Sequence, residues 1–243
     1  MKTQYIKGLA VPAAYGLLSF LVALLIAWIV LAQQNFLYGV WHDHAGIGRA
    51  IEHFAPKNKF KPGFADTSRD QRVSLFAEIN HAVHNQGEGL AQIAFDTPGH
   101  GSQTLLREPE VVHLQDVANL ISFLKYGSLI MLLIWGGLTW YLLKKNAVPS
   151  LKMQFIGTAV LLTVATLCIL LIGPVTVFNT LHIWIFPHEN QWFFYYQESL
   201  MSTMMWAPYL FGWIAIALVV YAKVFFLFMQ WVLYYLSGRR AAL

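Results

Sequence analysis

Apolar and polar positions alternate along this chain in blocks rather than in faces. Residues 1–32 open with a short basic segment and continue as an almost unbroken apolar run, LAVPAAYGLLSFLVALLIAWIVLA. Further runs of this kind fall within 119–143, 153–177 and 207–243. A helix needs about 20 apolar residues to cross a hydrocarbon core, and each run supplies them. The pattern predicts an all-α membrane protein of four transmembrane helices, with an extracytoplasmic cap between helices 1 and 2. The first run also has the basic start of a signal peptide. It is read as a retained helix because it is longer than a signal core and no small-x-small cleavage site follows it. Gly127, Gly136 and Gly137 in the second run are expected at close helix contacts.

The blocks between the runs differ from one another. Residues 33–118 are polar and mixed, and form the expected cap. Within them RVSLFAEINHAVHN places Val73, Phe76, Ile79 and Val83 at helical spacing, which predicts an amphipathic helix over 72–85. A Gly/Pro-rich turn region follows, as far as Ser102. Residues 144–152 are a short basic link, and 178–206 are a dense aromatic loop. Lys2, Lys7, Lys144, Lys145, Lys152, Arg239 and Arg240 flank the spans in short segments. They predict that both termini and the 144–152 loop are cytoplasmic. The 33–118 and 178–206 segments then face outward, with Trp41, Trp184, Trp192, Trp206, Tyr195 and Tyr196 in the interfacial aromatic belts. Lys125 and Lys223, inside apolar runs, are expected to snorkel or to pair.

Composition sharpens this picture. The chain is 57% hydrophobic and only 12% charged, against about 25% charged in soluble domains. The net charge of +4 reflects basic flanks of the spans, so it does not point to nucleic acid. The single cysteine, Cys168, lies in an apolar run, where a buried inert thiol is expected and no disulfide framework or cysteine metal site is possible. Oligomeric state is left open by the sequence.

The polar residues able to do chemistry gather in the two outward blocks, which hold all twelve acids and all nine histidines. LLREPEVVHLQDVANL, residues 105–120, carries Glu110, His113 and Asp116 at three-residue spacing, hence on one helical face. Pro109 suits the first turn of that helix. A histidine can take and return a proton near neutrality, and a carboxylate one turn away can fix its tautomer. Either Glu110 or Asp116 can fill that role. Span two begins, and span three ends, on the same membrane face, so Asp116 and Asn179 are brought to one side and His182 can approach His113. Glu198 is a further acid able to orient one of the two. Asn179, Trp192 or the partner histidine can donate to an oxyanion. A rival reading is a metal-dependent membrane hydrolase or metal-binding membrane protein using His42, His44, His53, His81 or His84. Their spacings match no specific metal signature, and an exposed loop is the simpler reading. A membrane scaffold without activity is a third possibility. No serine-nucleophile elbow, phosphate loop or haem-attachment motif is present.

The two outward segments resemble the bacterial lipoprotein intramolecular transacylase family. The first matches an E-x-x-H-[ML]-x-D-V pattern through Glu110, His113, Asp116 and Val117. The second carries His182, Phe186, Trp192, Phe194, Glu198 and Pro208 in the matching order. Two features depart from the family: Glu198 stands where an aspartate is usual, and the histidine-rich stretch from Trp41 to His53 is additional. The resemblance implies a multi-pass enzyme of the bacterial cytoplasmic membrane, surrounded by membrane lipids and active on the extracytoplasmic side. It implies that the sn-2 acyl chain of a diacylglyceryl-modified lipoprotein moves to the α-amino group of its N-terminal cysteine. It also implies that His113 and His182 are the catalytic pair, that no cofactor or metal is involved, and that the substrate is the lipoprotein itself.

Overall fold

Among the described residues, four helices are long and apolar enough to cross a membrane, and the chain is a multi-pass membrane protein. They are α1 (Lys2–Gln33), α5 (Glu108–Lys144), α6 (Leu151–Ile172) and α9 (Tyr209–Leu236). Between α1 and α5 lie α2 (Tyr38–His44), α3 (Ile47–Phe54), α4 (Arg69–His84) and a hairpin of β1 (Ala94–Thr97) and β2 (Gly101–Thr104). Between α6 and α9 lie α7 (Pro174–Ile185) and α8 (Leu200–Met205). This computed structural model describes residues 2–237, with side chains from residue 12 onward. The side chains of Lys2 and Lys7, and all of Arg239 and Arg240, lie outside the described residues.

The chain divides into two compact units. One contains residues 1–30, 125–174 and 216–243; the other contains residues 31–124 and 175–215.

In the first unit, α1 packs on α9 through Phe20, Ala23, Ala27, Ala222 and Phe226, all buried. The alanines let the helices approach, and Phe20 meets Phe226 edge to face at 6.1 Å. Polar groups in this setting need partners within the protein. Tyr15 and Thr139 share a hydrogen bond of 2.9 Å, and Trp135 Nε1 donates to Ser19 Oγ at 2.9 Å, joining α1 to α5. The close backbone approach is at Gly16, where a Cβ would stand 3.3 Å from the Cα of Gln154. Gly127, Gly136 and Gly137 are not contact points, because nothing lies within 4 Å of an added Cβ at any of them. Cys168, expected buried, is likewise exposed on α6. Both corrections have one cause. Most of α5 and α6 in this unit presents apolar side chains outward, with Leu133 and Leu170 among the exposed ones, and lipid accepts those as readily as a protein core does. Lys125 and Lys223 are also exposed on their helices.

The third apolar run is not one helix. It breaks at Gly173, whose φ of +95° suits glycine, and Pro174 opens α7 at a position where its missing N–H costs nothing.

The second unit holds the polar blocks. The predicted amphipathic helix is present as α4 and begins at Arg69, because Ser68 caps it by accepting from Gln71 N at 3.1 Å. Tyr38 of α2 stacks on Phe76 of α4, centroids 4.1 Å apart, and donates its hydroxyl hydrogen to Met204 O at 2.9 Å. The region expected only as turns contains the antiparallel hairpin, with Ala94 opposite Thr104 and Thr97 opposite Gly101. Its turn is Thr97-Pro98-Gly99-His100, closed by His100 N donating to Thr97 O at 3.3 Å. Proline second and a glycine at φ +85° third are what a type II turn requires. The hairpin docks through Phe95, edge to face with Phe64 at 5.0 Å.

Candidate active site

The first turns of α5 carry the acid and imidazole groups. α5 begins at Glu108, with Pro109 inside the first turn, as the sequence predicts. At 1.5 Å per residue its 37 residues extend ~55 Å, well beyond a hydrocarbon core of ~30 Å. The polar turn bearing Glu110, His113 and Asp116 is therefore an extension of a spanning helix.

His113 and His182 meet. Their ring centroids are 6.1 Å apart, although 69 positions separate them in the chain. Phe186 contacts both rings, at 5.0 Å from His113 and 5.2 Å from His182. Phe194 adds to the His113 side at 6.1 Å. Trp192 at 5.0 Å and Phe178 at 4.1 Å flank His182. His113 is buried at 7% exposure, and its Nδ1 has no hydrogen-bond partner. His182 is half-buried. Its Nδ1 lies 2.8 Å from Phe178 O, the carbonyl one turn earlier in α7. A carbonyl only accepts, so Nδ1 carries the hydrogen. In the neutral ring the lone pair is then on Nε2. Burial among the aromatic rings holds the His182 pKa below that of an ordinary imidazole, and the bond to Phe178 O opposes this in part.

Two of the three carboxylates, Glu110 and Glu198, turn to partners other than the histidines. Glu110 is fully buried and turned toward α8 rather than His113. Its Oε1 accepts from Ser199 Oγ at 2.6 Å and from Met201 N at 3.3 Å. Its Oε2 accepts from Arg107 N at 2.8 Å and lies 3.5 Å from Arg107 Nε. Ser199 also caps α8 by accepting from Ser202 N at 2.9 Å. Glu110 thus fastens the start of α5 to the start of α8. Asp116 accepts from Asn190 Nδ2 at 2.7 Å, which ties the aromatic loop to α5 one turn past His113. Glu198 forms an ion pair with Lys59 at 3.1 Å instead of orienting a histidine. Asn179 is half-buried on α7, three residues before His182. Ser199 and Asn190 do not stand out in the sequence. α8 has only six residues, too few for a periodic pattern, and the Ser-x-x-Ser cap is the only local trace of its start.

The histidines of the rival reading are spread over α2, α3 and α4, and three of them have other partners. His42 Nδ1 bonds Asp43 at 2.9 Å, His53 Nε2 lies 2.8 Å from Lys57 Nζ, and His84 Nδ1 bonds Asn80 O at 2.8 Å. Among the described residues, no three His, Cys, Asp or Glu side chains come together as a ligand set.

Comparison with known proteins bears on family and fold. The model of the lipoprotein intramolecular transacylase family, Lit, matches residues 90–209, a stretch that contains both histidines and every aromatic ring around them. An in meso structure of the membrane integral lipoprotein intramolecular transacylase Lit from Bacillus cereus, bearing a histidine-to-arginine mutation, is similar in fold. Its TM-score is 0.62 and its identity 17%, over 98% of this chain and 96% of that chain. No curated protein matches the sequence. Residues 90–209 of this chain, with both motif segments, thus belong to the lipoprotein intramolecular transacylase family.

Proposed function

We propose that the protein moves the sn-2 acyl chain of a diacylglyceryl-modified lipoprotein from its glyceryl oxygen to the α-amino group of the N-terminal cysteine, with His113 and His182 as the acid–base pair. The product is a lyso-form lipoprotein. The observation that carries this reading is the 6.1 Å approach of two imidazoles from separate elements inside an aromatic enclosure.

The chemistry follows from the groups present. The amine nitrogen forms a bond to the ester carbonyl carbon, and the bond from that carbon to the glyceryl oxygen breaks. The amine loses one proton and the departing alkoxide gains one. Nε2 of His182 takes the amine proton; the Nδ1 bond to Phe178 O, which leaves the lone pair on Nε2, supports this role. The imidazole pair holds that extra proton only between the two steps and returns it to the alkoxide. An α-amine has a pKa near 7.7–8.0, so much of it is protonated at neutral pH and needs such a base. Asn179 and Trp192 are the candidate donors to the transient oxyanion. Because amine and ester belong to one molecule, binding supplies proximity. The amide is more stable than the ester, so no cofactor has to provide energy. The rings of Phe178, Phe186, Trp192 and Phe194 screen the two imidazoles in part from water, which otherwise competes with the amine for the ester.

The basic link of Lys144, Lys145 and Lys152 supports cytoplasmic termini and an extracytoplasmic site in the bacterial cytoplasmic membrane. The test is mass spectrometry of lipoprotein N-terminal peptides from cells with the protein, without it, and with His113→Ala or His182→Ala. The lyso form is expected only with the wild-type protein. An acyl pattern unaltered by its removal refutes the proposal.

A further inference from the structure

The segment Lys57-Asn58-Lys59-Phe60-Lys61 has no part in the acid–base chemistry. Three lysines within five residues surround a phenylalanine that is 52% exposed. The turn is built, not loose: Asn58 Oδ1 accepts from Phe60 N at 2.9 Å and from Lys61 N at 2.8 Å. The Arg107 guanidinium lies over the Phe60 ring, 4.7 Å from its centroid. Lys59 is matched by Glu198, and Arg107 by Glu110. Among the described residues, Lys57 and Lys61 meet neutral partners: His53 and the Phe54 ring for Lys57, Thr104 for Lys61. The turn is joined to the aromatic loop through Lys59 N donating to Gln197 O at 2.8 Å. Two residues before Gln197, Tyr195 is 63% exposed and makes edge contact with Phe193, itself 53% exposed.

Exposed aromatic rings beside uncompensated lysines are the chemistry of a bilayer interface. The rings sit at headgroup level and the ammonium groups meet phosphate. We infer that the Lys57–Lys61 turn, with Phe60, Phe193 and Tyr195, is a docking surface for the headgroups of anionic phospholipids. Such contact anchors the aromatic loop, and with it Trp192, at the membrane surface. The attraction is electrostatic and within reach of a screening length, so salt weakens it. Two lysines near an anionic surface correspond to roughly thirtyfold in preference at most.

The experiment uses the full-length protein extracted from vesicles of mixed phosphatidylglycerol and phosphatidylcholine. Retained lipids are counted by native mass spectrometry, a readout independent of acyl transfer. The wild type is expected to retain phosphatidylglycerol in preference, and K57Q/K61Q to lose that preference several-fold while remaining folded. F60S is expected to reduce total retained lipid. Equal retention by wild type and K57Q/K61Q overturns the inference. So does competition by soluble glycerol phosphate as strong as that of the lipid, which marks a free-phosphate site. A lysine dependence seen in pure phosphatidylcholine only with an acidic lipopeptide also overturns it, because the surface then reads the peptide.

Discussion

Replacing Ser199 with alanine isolates the fastening of α8 to α5. The serine hydroxyl donates to a fully buried carboxylate at 2.6 Å and caps α8 at 2.9 Å. A hydrogen bond to a charged group contributes about 1.5–3 kcal/mol, and loss of a serine cap costs about 1 kcal/mol. Ser199→Ala should therefore destabilise by roughly 2.5–4 kcal/mol. In a chain of this size each kcal/mol corresponds to about 2–4 °C, so Tm should fall by roughly 5–15 °C. Glu110→Gln keeps an oxygen for Ser199 but removes the charge facing Arg107, which is 22% exposed. The double variant should lose less than the two single losses added, with a coupling of roughly 1–2 kcal/mol. Thermal unfolding of the detergent-solubilised protein, followed by tryptophan fluorescence, measures all three. A Ser199→Ala change within about 0.5 kcal/mol of wild type, or strict additivity in the cycle, refutes the idea that this bond holds the two helices together.

His113→Ala and His182→Ala should each lower lyso-lipoprotein formation by about 10²–10⁴-fold with little change in Tm, and a chelator should leave the wild-type rate intact; both are read by peptide mass spectrometry. Because burial lowers the His182 pKa, its imidazole stays neutral below the ordinary imidazole range, and the acid limb of the pH–rate profile should lie below pH ~6.5. The sign for stability follows. This group's contribution is fully present above its unfolded pKa and is lost as pH falls through the folded one; His182→Gln should flatten both curves. Asn190→Ala frees the aromatic loop from Asp116, so kcat should fall more than Tm; equal losses of both would make the bond merely structural. Gly136→Ala should raise stability by up to about 1 kcal/mol, since nothing opposes the added methyl.

Several features of the site can be traced to local sequence. The three-residue spacing of Glu110, His113 and Asp116 requires one helix face, and Pro109 marks where that helix starts. The approach of His182 follows from counting spans, because successive crossings return the chain to one face. The partner of Glu110 leaves no such trace. It lies 89 positions away in a helix of six residues, and only packing brings the two together. The same is true of Glu198, whose proximity to His182 in sequence is outweighed by Lys59, 139 positions away.

Length, hydropathy and spacing along one chain dictated the number of spans, the division into apolar and polar blocks, and the helix face shared by Glu110, His113 and Asp116. Tertiary structure alone decided which faces pack. It turned Cys168 and the glycines of α5 outward and gave Glu110 to Ser199. The physical reason is that lipid and protein interior are both apolar. Hydrophobicity therefore marks a residue as out of water without saying which neighbour it meets, and a buried polar group is defined by a partner that folding alone supplies.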